Sequence, residues 1–403
     1  MGIRKIFLLS GISVTVLLLT RCFRAQAYSD PRGTAYAGSA ECLRCHKAIS
    51  NSFSHTAHYL STRIADSGSV AGNFSKDSNE LSINETTLIR MEKRDTGLYQ
   101  VLYIKNKEKE SHRFDLVMGA VKGQTYLYWK ENGFFQLPVS YFTALHQWTS
   151  SPGYSFSKLN FDRPVLKECF GCHSSFANGD PHGLSGFGIK QNSWIFNIDC
   201  ERCHGPAAAH VQFHDSHPEE KRSGFMVSFH SLSRSQKVDL CAVCHSGTKH
   251  ILLKSTFAFK MGDSLASYMI PLSTGDQLDV HGNQTQLLSQ SKCYRMSDID
   301  CSTCHNAHVN QRGFVKSFND RCQSCHSPGK HFCKMATGTN MAFLQNNCTG
   351  CHMPLQSSTA ITVIPSNHAT TIPTMVVNHR IAIYPEVVEK IIRANFHDST
   401  AQE

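Results

Sequence analysis

Past its first 27 residues, the sequence has no apolar run long enough to span a lipid bilayer, since a spanning helix needs about 20 mostly apolar residues. It has no basic patch interleaved with aromatic residues, which argues against nucleic acid as a partner. Between Cys169 and Pro354 it shows no long alternating strand pattern, only short helical turns and loops rich in Gly and Pro. These absences argue against a mature chain that spans a membrane or binds nucleic acid.

The N-terminus is typical of an export signal covering residues 1–27. Two basic residues precede a mostly apolar run at 6–19, and Ala25-Gln26-Ala27 provides a cleavage site. The alternative, an uncleaved membrane anchor, would need about 20 apolar residues. Lipid attachment at Cys22 is disfavoured because Arg21 stands where a small residue belongs. The sequence thus predicts a periplasmic or other extracytoplasmic location.

The sequence is rich in cysteine and histidine, with 17 Cys and 23 His in 403 residues. Seven copies of Cys-x-x-Cys-His use 14 of these cysteines, whereas chance would supply on the order of 0.04 matches. Two thiols at this spacing can form thioethers to the vinyl groups of one haem, and the next residue's imidazole becomes the proximal iron ligand. We therefore predict seven covalently attached haem c groups. Their residues are Cys42, Cys45 and His46; Cys169, Cys172 and His173; Cys200, Cys203 and His204; Cys241, Cys244 and His245; Cys301, Cys304 and His305; Cys322, Cys325 and His326; and Cys348, Cys351 and His352.

The alternative interpretation of these motifs is a set of zinc sites or disulfides. A zinc site would pair one Cys-x-x-Cys with a second at short range, and it would not require histidine after every second cysteine. Outside the motifs, Cys293 and Cys333 could form a disulfide in an oxidising compartment or remain two buried free thiols.

Haem attachment changes the charge balance of the chain. The formal net charge is +9, or near +5 without the four basic residues of the signal. Each ferric haem adds about −1, so seven bring the total to roughly −2, and to about −9 when all are ferrous. The basic excess therefore indicates compensation for haem propionates.

Short tethers disfavour two histidines as ligands of the iron of their own motif, strictly for His308 and less strictly for His210. His308 follows His305 by three residues, which reach about 10 Å at full extension. His210 follows His204 by six, with a reach of about 20 Å, and a Gly-Pro pair turns the chain away first. We expect both to bind the iron of a neighbouring haem, which would force pairs of haems close together.

Three further histidines are distal-ligand candidates: His58, His281 and His379. The alternative for each is a solvated or hydrogen-bonded side chain, but irons that need a sixth ligand favour ligation. Met353 directly follows His352 and cannot reach the far face of that iron. Weaker histidine candidates are His55, His146, His214, His250, His331 and His368.

The spacing of the motifs indicates the domain organisation. A gap of 122 residues separates His46 from Cys169, whereas later gaps are 16 to 55 residues long. The long gap contains aromatic and β-branched segments at 98–104 and 125–129, flanked by Gly-containing turns. We predict a mainly α fold with extensive irregular loops around seven haems, plus a small antiparallel β insertion near residues 75–145; an irregular loop region is the alternative. The predicted units are a signal peptide at 1–27, a first haem segment at 28–74, a β-rich insertion at 75–160, a six-haem cytochrome domain at 161–360, and a C-terminal segment at 361–403 with a distal histidine and a helix from Pro385.

The residues around the motifs resemble a known family. The stretches AGSAECLRCHKAISNSFSHTAH, CERCHGPAAAH, DVHGNQ, CSTCHNAH and CTGCHMP are similar to those of exported multihaem cytochromes of the cytochrome c-554 type. That family is related to the haem cores of hydroxylamine oxidoreductase and pentahaem nitrite reductase. The resemblance covers most of the mature chain. It implies that His58, His210 and His308 are distal ligands and that the haems stack in closely spaced parallel and crossed pairs.

The sequence and the resemblance leave two functions of different classes open. The first is electron transfer along mostly bis-histidine haems between periplasmic or surface redox partners, such as another cytochrome or a quinol oxidase. The second is an oxidoreductase in which one five-coordinate haem acts on nitrite, hydroxylamine or a sulfur oxyanion. Nitrite reductases of this kind usually bind the catalytic haem through CxxCK, which is absent, since Lys334 follows Cys333 without a partner cysteine. A third hypothesis is a structural subunit that docks on a membrane quinol oxidase.

Overall fold

The computed structural model describes residues 30–131, 133–180, 188–247, 249–272, 278–327, 333–335, 340–366 and 370–396. The export signal with Cys22, and the weaker candidates His331 and His368, lie outside the described residues. No helix within the described ranges is both long and apolar enough to cross a bilayer.

The prediction of a mainly α fold is wrong, because strands are nearly as abundant as helices. Helical residues make up 31 % and strand residues 25 % of the described chain, and the strands form several antiparallel sheets. Helices stay short because most serve one Cys-x-x-Cys-His segment; two of them end directly before the motif histidines His46 and His305. The strands His250–Leu252, Met269–Pro271 and Leu355–Val363 have no clear strand pattern in the sequence, because the first two are three residues long and the third is rich in Ser and Thr.

The helices and strands follow one another along the chain. Within the described ranges the α-helices are α1 Ser39–Cys45, α2 Lys47–Phe53, α3 Lys167–His173, α4 Cys200–His204, α5 Ala208–Ser216, α6 Arg234–His245, α7 Gln284–Ser289, α8 Lys292–Arg295, α9 Cys301–Cys304, α10 Val315–Gln323, α11 Met341–Gln345, α12 Cys348–His352 and α13 Pro385–Phe396. The strands are β1 Thr62–Ile64, β2 Glu80–Asn84, β3 Thr87–Arg94, β4 Gly97–Ile104, β5 Lys107–Arg113, β6 Leu116–Met118, β7 Gly123–Lys130, β8 Gly133–Gln136, β9 Val139–Phe142, β10 Gln147–Ser150, β11 Arg163–Pro164, β12 Phe176–Asp180, β13 Gly188–Ile195, β14 His250–Leu252, β15 Met269–Pro271, β16 Leu355–Val363 and β17 Ile372–Val377.

Two antiparallel sheets fill the long gap between the first and second motifs. Strands β2, β3, β4 and β5 form a meander in which each pairs with the next. Strands β1, β6, β7, β8 and β11 form the second sheet, and β9 joins it through β7 and pairs with β10. Side chains from both sheets, including Leu81, Ile89, Met91 and Tyr126, make one buried core. This unit buries its own apolar surface, as a separately packed body does.

The β-rich unit is tied to the motif-bearing segments by hydrogen bonds to backbone carbonyls. The Ser150 N–H donates to the Ile364 carbonyl at 2.8 Å, and the Ser61 hydroxyl donates to the His173 carbonyl at 2.9 Å. Two further antiparallel pairs lie between motifs, β12 with β13 and β14 with β15, and a third, β16 with β17, follows the seventh motif. The β-rich unit is therefore held at the second motif and again after the seventh.

A Gly72→Ala variant should be less stable than the parent chain by about 1–3 kcal/mol, the cost of overpacking a filled core. A Cβ at this position would lie 2.0 Å from the Trp148 ring. That ring is 3 % exposed and is held by its N–H, which donates to the Asn73 carbonyl at 2.8 Å. Thermal unfolding followed by circular dichroism measures the loss. Gly68→Ala is the control, since its Cβ would meet only Asp66 at an ordinary 3.4 Å; equal melting temperatures for both variants would contradict the prediction.

Candidate haem-binding site

Short helices present the motif cysteines in pairs. Six helices, α1, α3, α4, α6, α9 and α12, each contain both cysteines of one motif; α10 contains Cys322, and Cys325 follows in a turn. Residues three apart in a helix lie on one face, so the two thiols of each motif point the same way. All fourteen motif cysteines are free thiols, and so are Cys293 and Cys333. The thiols are therefore available for thioether bonds.

Aspartate residues begin two of these helices directly before the first cysteine. The Asp199 carboxylate accepts the Arg202 N–H, and the Asp300 carboxylate accepts the N–H groups of Ser302 and Thr303. Such N-caps satisfy backbone donors that the first helical turn leaves free. The sequence Asp-Cys-x-x-Cys thus starts the helix at the first cysteine.

Four of the distal candidates face motif histidines, and each faces a motif other than the one beside it. The ring centroids of His46 and His210 are 6.4 Å apart, and those of His58 and His245 are 6.2 Å apart. The other two pairs are His204 with His308 at 5.7 Å and His305 with His379 at 6.2 Å. The fifth candidate, His281, lies near enough to His173 and His245 to interact electrostatically with both.

These distances fit an iron held between two imidazoles. A metal–nitrogen distance of about 2.0 Å, plus about 1.1 Å from nitrogen to ring centroid, gives roughly 6.2 Å between centroids. Three of the four measured pairs lie within 0.2 Å of that value. In the fourth, the Nε2 atoms of His204 and His308 are 3.5 Å apart, so these rings must separate slightly to admit a metal. The donor set and spacing fit bis-histidine haem.

Burial keeps most of these imidazoles neutral. It lowers the pKa of His58, His173 and His379 to about 4. It also lowers the pKa of four more, which are His204, His281, His305 and His308. A neutral imidazole is the form that binds a metal, so these histidines are in the metal-binding protonation state at neutral pH.

Backbone carbonyls orient several of the rings. The Nδ1–H of His210 donates to the Gly224 carbonyl at 2.9 Å, and that of His352 donates to the Ala382 carbonyl at 2.8 Å. A proton on Nδ1 leaves Nε2 free for a metal. The rings are therefore both aimed and fixed in the ligating tautomer.

Asp279 holds the loop that carries His281. Its carboxylate accepts the His281 N–H at 2.7 Å, the Ser358 hydroxyl at 2.8 Å and the Thr359 hydroxyl at 2.6 Å. Burial raises the pKa of this carboxyl, but the hydrogen bonds, led by that from Thr359, outweigh burial and lower it to about 2. Nothing in the sequence pattern had pointed to Asp279 beyond its place two residues before His281.

An Asp279→Asn variant should shift the spectrum of a single haem, the one whose iron His281 would bind. The amide keeps one oxygen and turns a donor toward groups that already donate, so the loop of His281 loses part of its support. Electron paramagnetic resonance of the oxidised protein measures the change in one low-spin signal. Asp66→Asn removes a comparable turn carboxylate from the β-rich unit and should leave every haem signal as it is.

Packing between short helices joins the motifs in pairs. Helix α1 packs against α4, α3 against α6, α6 against α9, α9 against α10, and α10 against α12. The pairs are therefore motifs one and three, two and four, four and five, five and six, and six and seven. The rings of His204 and His308 link the third motif to the segment of the fifth, so the described motifs form one connected set.

Several histidines have other surroundings. The Nδ1–H of exposed His55 donates to the Asn51 carbonyl at 2.8 Å, and His146 has a backbone φ of 51°. His214 packs its ring against that of His210 at 4.5 Å. His250 lies in a small cavity near Cys172. None of these four faces a motif histidine as the distal candidates do in the described part of the chain.

A buried charge cluster joins the segment before the first motif to the third motif. Arg32 donates to Asp30, Asp199 and Glu201 at 2.8–3.1 Å, and all four side chains are at most 4 % exposed. Glu201 also accepts the N–H groups of Ala37, Gly38 and Ala207. The sequence pattern did not predict this cluster, because charged residues are expected at the protein surface unless the sequence shows their partners.

Comparisons with known proteins agree with the motifs. The family model described as "Cytochrome c554 and c-prime" matches residues 140–205, which hold the second and third motifs. The multiheme cytochrome MtrA of Shewanella baltica (strain OS185) is 21 % identical over 211 residues, or 51 % of this chain and 50 % of that protein. The chain thus spans about half the length of this curated relative. The crystal structure of outer cell wall cytochrome OcwA is 16 % identical with a TM-score of 0.49, over 89 % of this chain and 82 % of that one. The predicted resemblance to multihaem cytochromes is confirmed.

Proposed function

We propose that this multihaem c-type cytochrome carries seven haems and passes electrons along them between redox partner proteins, without binding a substrate. The observation that carries the proposal is the crossed pairing of histidines. A segment that is anchored beside one motif and reaches the proximal histidine of another ties two redox centres together. Haem c supplies one-electron chemistry, and two histidine ligands favour a low potential.

The chain's own residues supply a continuous route. The segment after the fifth motif reaches the third through His308, the segment after the third reaches the first through His210, and the segment after the first reaches the fourth through His58. Packing of α3 against α6 adds the second motif to the fourth, and packing of α10 against α9 and α12 adds the sixth and seventh motifs to the fifth. Each step of the route thus joins motifs whose helices or histidines lie next to each other.

We place this route in an exported protein whose signal is residues 1–27, with a β-rich unit at 75–160, a six-haem domain at 161–360 and a C-terminal segment at 361–403 that supplies His379. Its partners are redox proteins, such as another cytochrome or a quinol oxidase.

A second candidate function is an oxidoreductase that uses one five-coordinate haem on nitrite, hydroxylamine or a sulfur oxyanion. One observation favours it: in the described ranges, no second imidazole ring pairs with that of His352, whereas the rings of four other motif histidines each face one. For this second function we infer an open coordination position at the seventh motif.

The purified holoprotein distinguishes these functions. Its mass should exceed that of the mature polypeptide by seven haems, and a Cys348→Ser/Cys351→Ser variant should lose one of them. The electron carrier predicts low-spin resonance Raman and paramagnetic resonance spectra that nitrite, hydroxylamine and sulfite leave unchanged. A stable high-spin haem that binds one of these ligands, and is lost in the double variant, would establish the oxidoreductase instead.

A further inference from the structure

Arg202 lies where three motifs meet. It stands between the two cysteines of the third motif, and it is only 7 % exposed. Its Nη2 donates to the Gly171 carbonyl, inside the second motif, at 3.1 Å. The same carbonyl is 3.9 Å from the Cys244 sulfur of the fourth motif. One carbonyl thus joins the guanidinium to two neighbouring motifs.

The tight fit around this carbonyl explains why the second motif has glycine there. A Cβ on Gly171 would lie 2.7 Å from the Thr256 hydroxyl. Thr256 begins a short turn whose Phe257 ring lies 5.8 Å from the Arg202 guanidinium. The side chain is therefore enclosed by the backbone of one motif and an aromatic ring.

The charge of Arg202 has no direct partner within the described ranges. None of the ion pairs between described residues includes it, and its Nε is buried without a hydrogen bond. The nearby carboxylates of Asp199 and Glu201 bind Arg32 and backbone N–H groups instead. A cation that is buried and not ion-paired acts strongly on charges formed near it.

We propose that Arg202 sets the reduction potential of the haems bound by the second and fourth motifs, which makes them preferred positions for the electron. This inference rests on the proposed function. A ferric centre carries one more positive charge than a ferrous one, so a fixed cation favours the reduced form. At an effective dielectric constant of about 20, one unit charge roughly 12 Å from a redox centre changes its reduced-to-oxidised ratio by roughly tenfold, and a closer charge changes it more; tenfold is about 59 mV for one electron.

The chain contains a matched control at the same motif position. Arg44 also precedes the second cysteine of its motif, but its side chain is 51 % exposed and pairs with Glu41 and Asp215. Water and salt screen such a charge. Two arginines at one motif position therefore differ in burial and pairing.

Spectroelectrochemical titration of the holoprotein tests the inference, with electrons supplied by the electrode. Arg202→Gln should lower the potential of two haems so that their reduced-to-oxidised ratio falls about tenfold at a fixed applied potential. Arg202→Lys, which retains the charge, should stay close to the parent, and Arg44→Gln should titrate like the parent. Arg202→Met removes the charge without burying an unpaired amide and serves if Arg202→Gln fails to accumulate.

Unchanged titrations of Arg202→Gln or Arg202→Met with all haems attached would overturn the inference and leave the proposed function standing. Equal shifts in Arg202→Lys and Arg202→Gln would show a packing role and overturn it as well. A parent protein whose mass shows no haem would refute the proposed function itself, which is a different outcome.

Discussion

A His210→Ala variant should convert one haem from low spin to high spin, and that haem should be the one attached to Cys42 and Cys45. The His210 ring faces that of His46 at 6.4 Å with the ring planes 16° apart. Removing it takes away the sixth ligand and leaves the proximal one. About one-seventh of the low-spin signal should then disappear.

The assignment to the first motif can be tested by combining substitutions. In a Cys42→Ser/Cys45→Ser background, which lacks the first haem, His210→Ala should produce no additional high-spin signal. In a Cys200→Ser/Cys203→Ser background it should still produce one. The reverse pattern would show that His210 serves the motif beside it in sequence, and the crossed assignment would be wrong.

His308→Ala gives the complementary result. Its Nε2 is 3.5 Å from that of His204, so the affected haem should be that of the third motif, although His308 lies three residues after the fifth. His55→Ala is the matched control, because His55 is exposed and bonds a backbone carbonyl of its own segment. It should leave every signal unchanged.

Tether length explains how much of this site the sequence could predict. The few residues between His305 and His308, or between His204 and His210, cannot easily pass around a haem, so elementary geometry assigns both to neighbours. The choice of neighbour depends on how the helices pack, which has no local signature. For His58 and His379 the sequence sets no such limit, and only the structure matches them with their partners, His245 and His305.

Aromatic and branched segments made the sheets of the long gap predictable, since their alternation is strong over eight residues in β4 and β7. The strands among the motifs had no such signal. In β16 the run from Leu355 to Val363 is interrupted by Ser and Thr, and β14 and β15 have three residues each. Tertiary pairing decides such segments, and this is why the fold is not mainly α.

The sequence also does not show whether a charged residue inside a motif is buried or exposed. Arg44 and Arg202 occupy the same motif position, yet one is half exposed and the other buried. The difference comes from the segments that pack on each motif helix. In the third motif, Ser175, just before β12, bonds Asp199, and the Phe257 ring covers Arg202. Burial at a single position is a property of the assembled chain.

A Glu201→Ala variant should lose about 3–5 kcal/mol of stability, the range for removing one member of a buried ionic cluster. The Glu201 side chain is 1 % exposed. Its carboxylate accepts the N–H groups of Ala37 and Gly38 at 2.9 and 2.8 Å and that of Ala207 at 2.8 Å. Without it, these donors are buried and unpaired, and each costs about 1–3 kcal/mol when nothing replaces the bond.

Glu41→Ala is the matched control for this loss. Glu41 precedes Cys42, its side chain is 41 % exposed, and among the described residues its ion pair is with exposed Arg44. Its removal should change stability by no more than about 0.5 kcal/mol. Thermal unfolding of both holoproteins, followed by circular dichroism, gives the comparison; equal melting temperatures would contradict a structural role for Glu201.

The spectrum should change before the fold is lost. Glu201 ties the residues just before α1 to the helix of the third motif, α4, and α1 packs against α4 across the same junction. In Glu201→Ala, warming should therefore separate the first and third motifs first, pulling His210 away from His46. A high-spin signal from one haem should appear at lower temperature than the loss of the β-sheet signal, whereas in the parent chain the two should coincide. In Glu201→Gln, which retains one oxygen acceptor, the high-spin signal should appear at a temperature between those of Glu201→Ala and the parent chain.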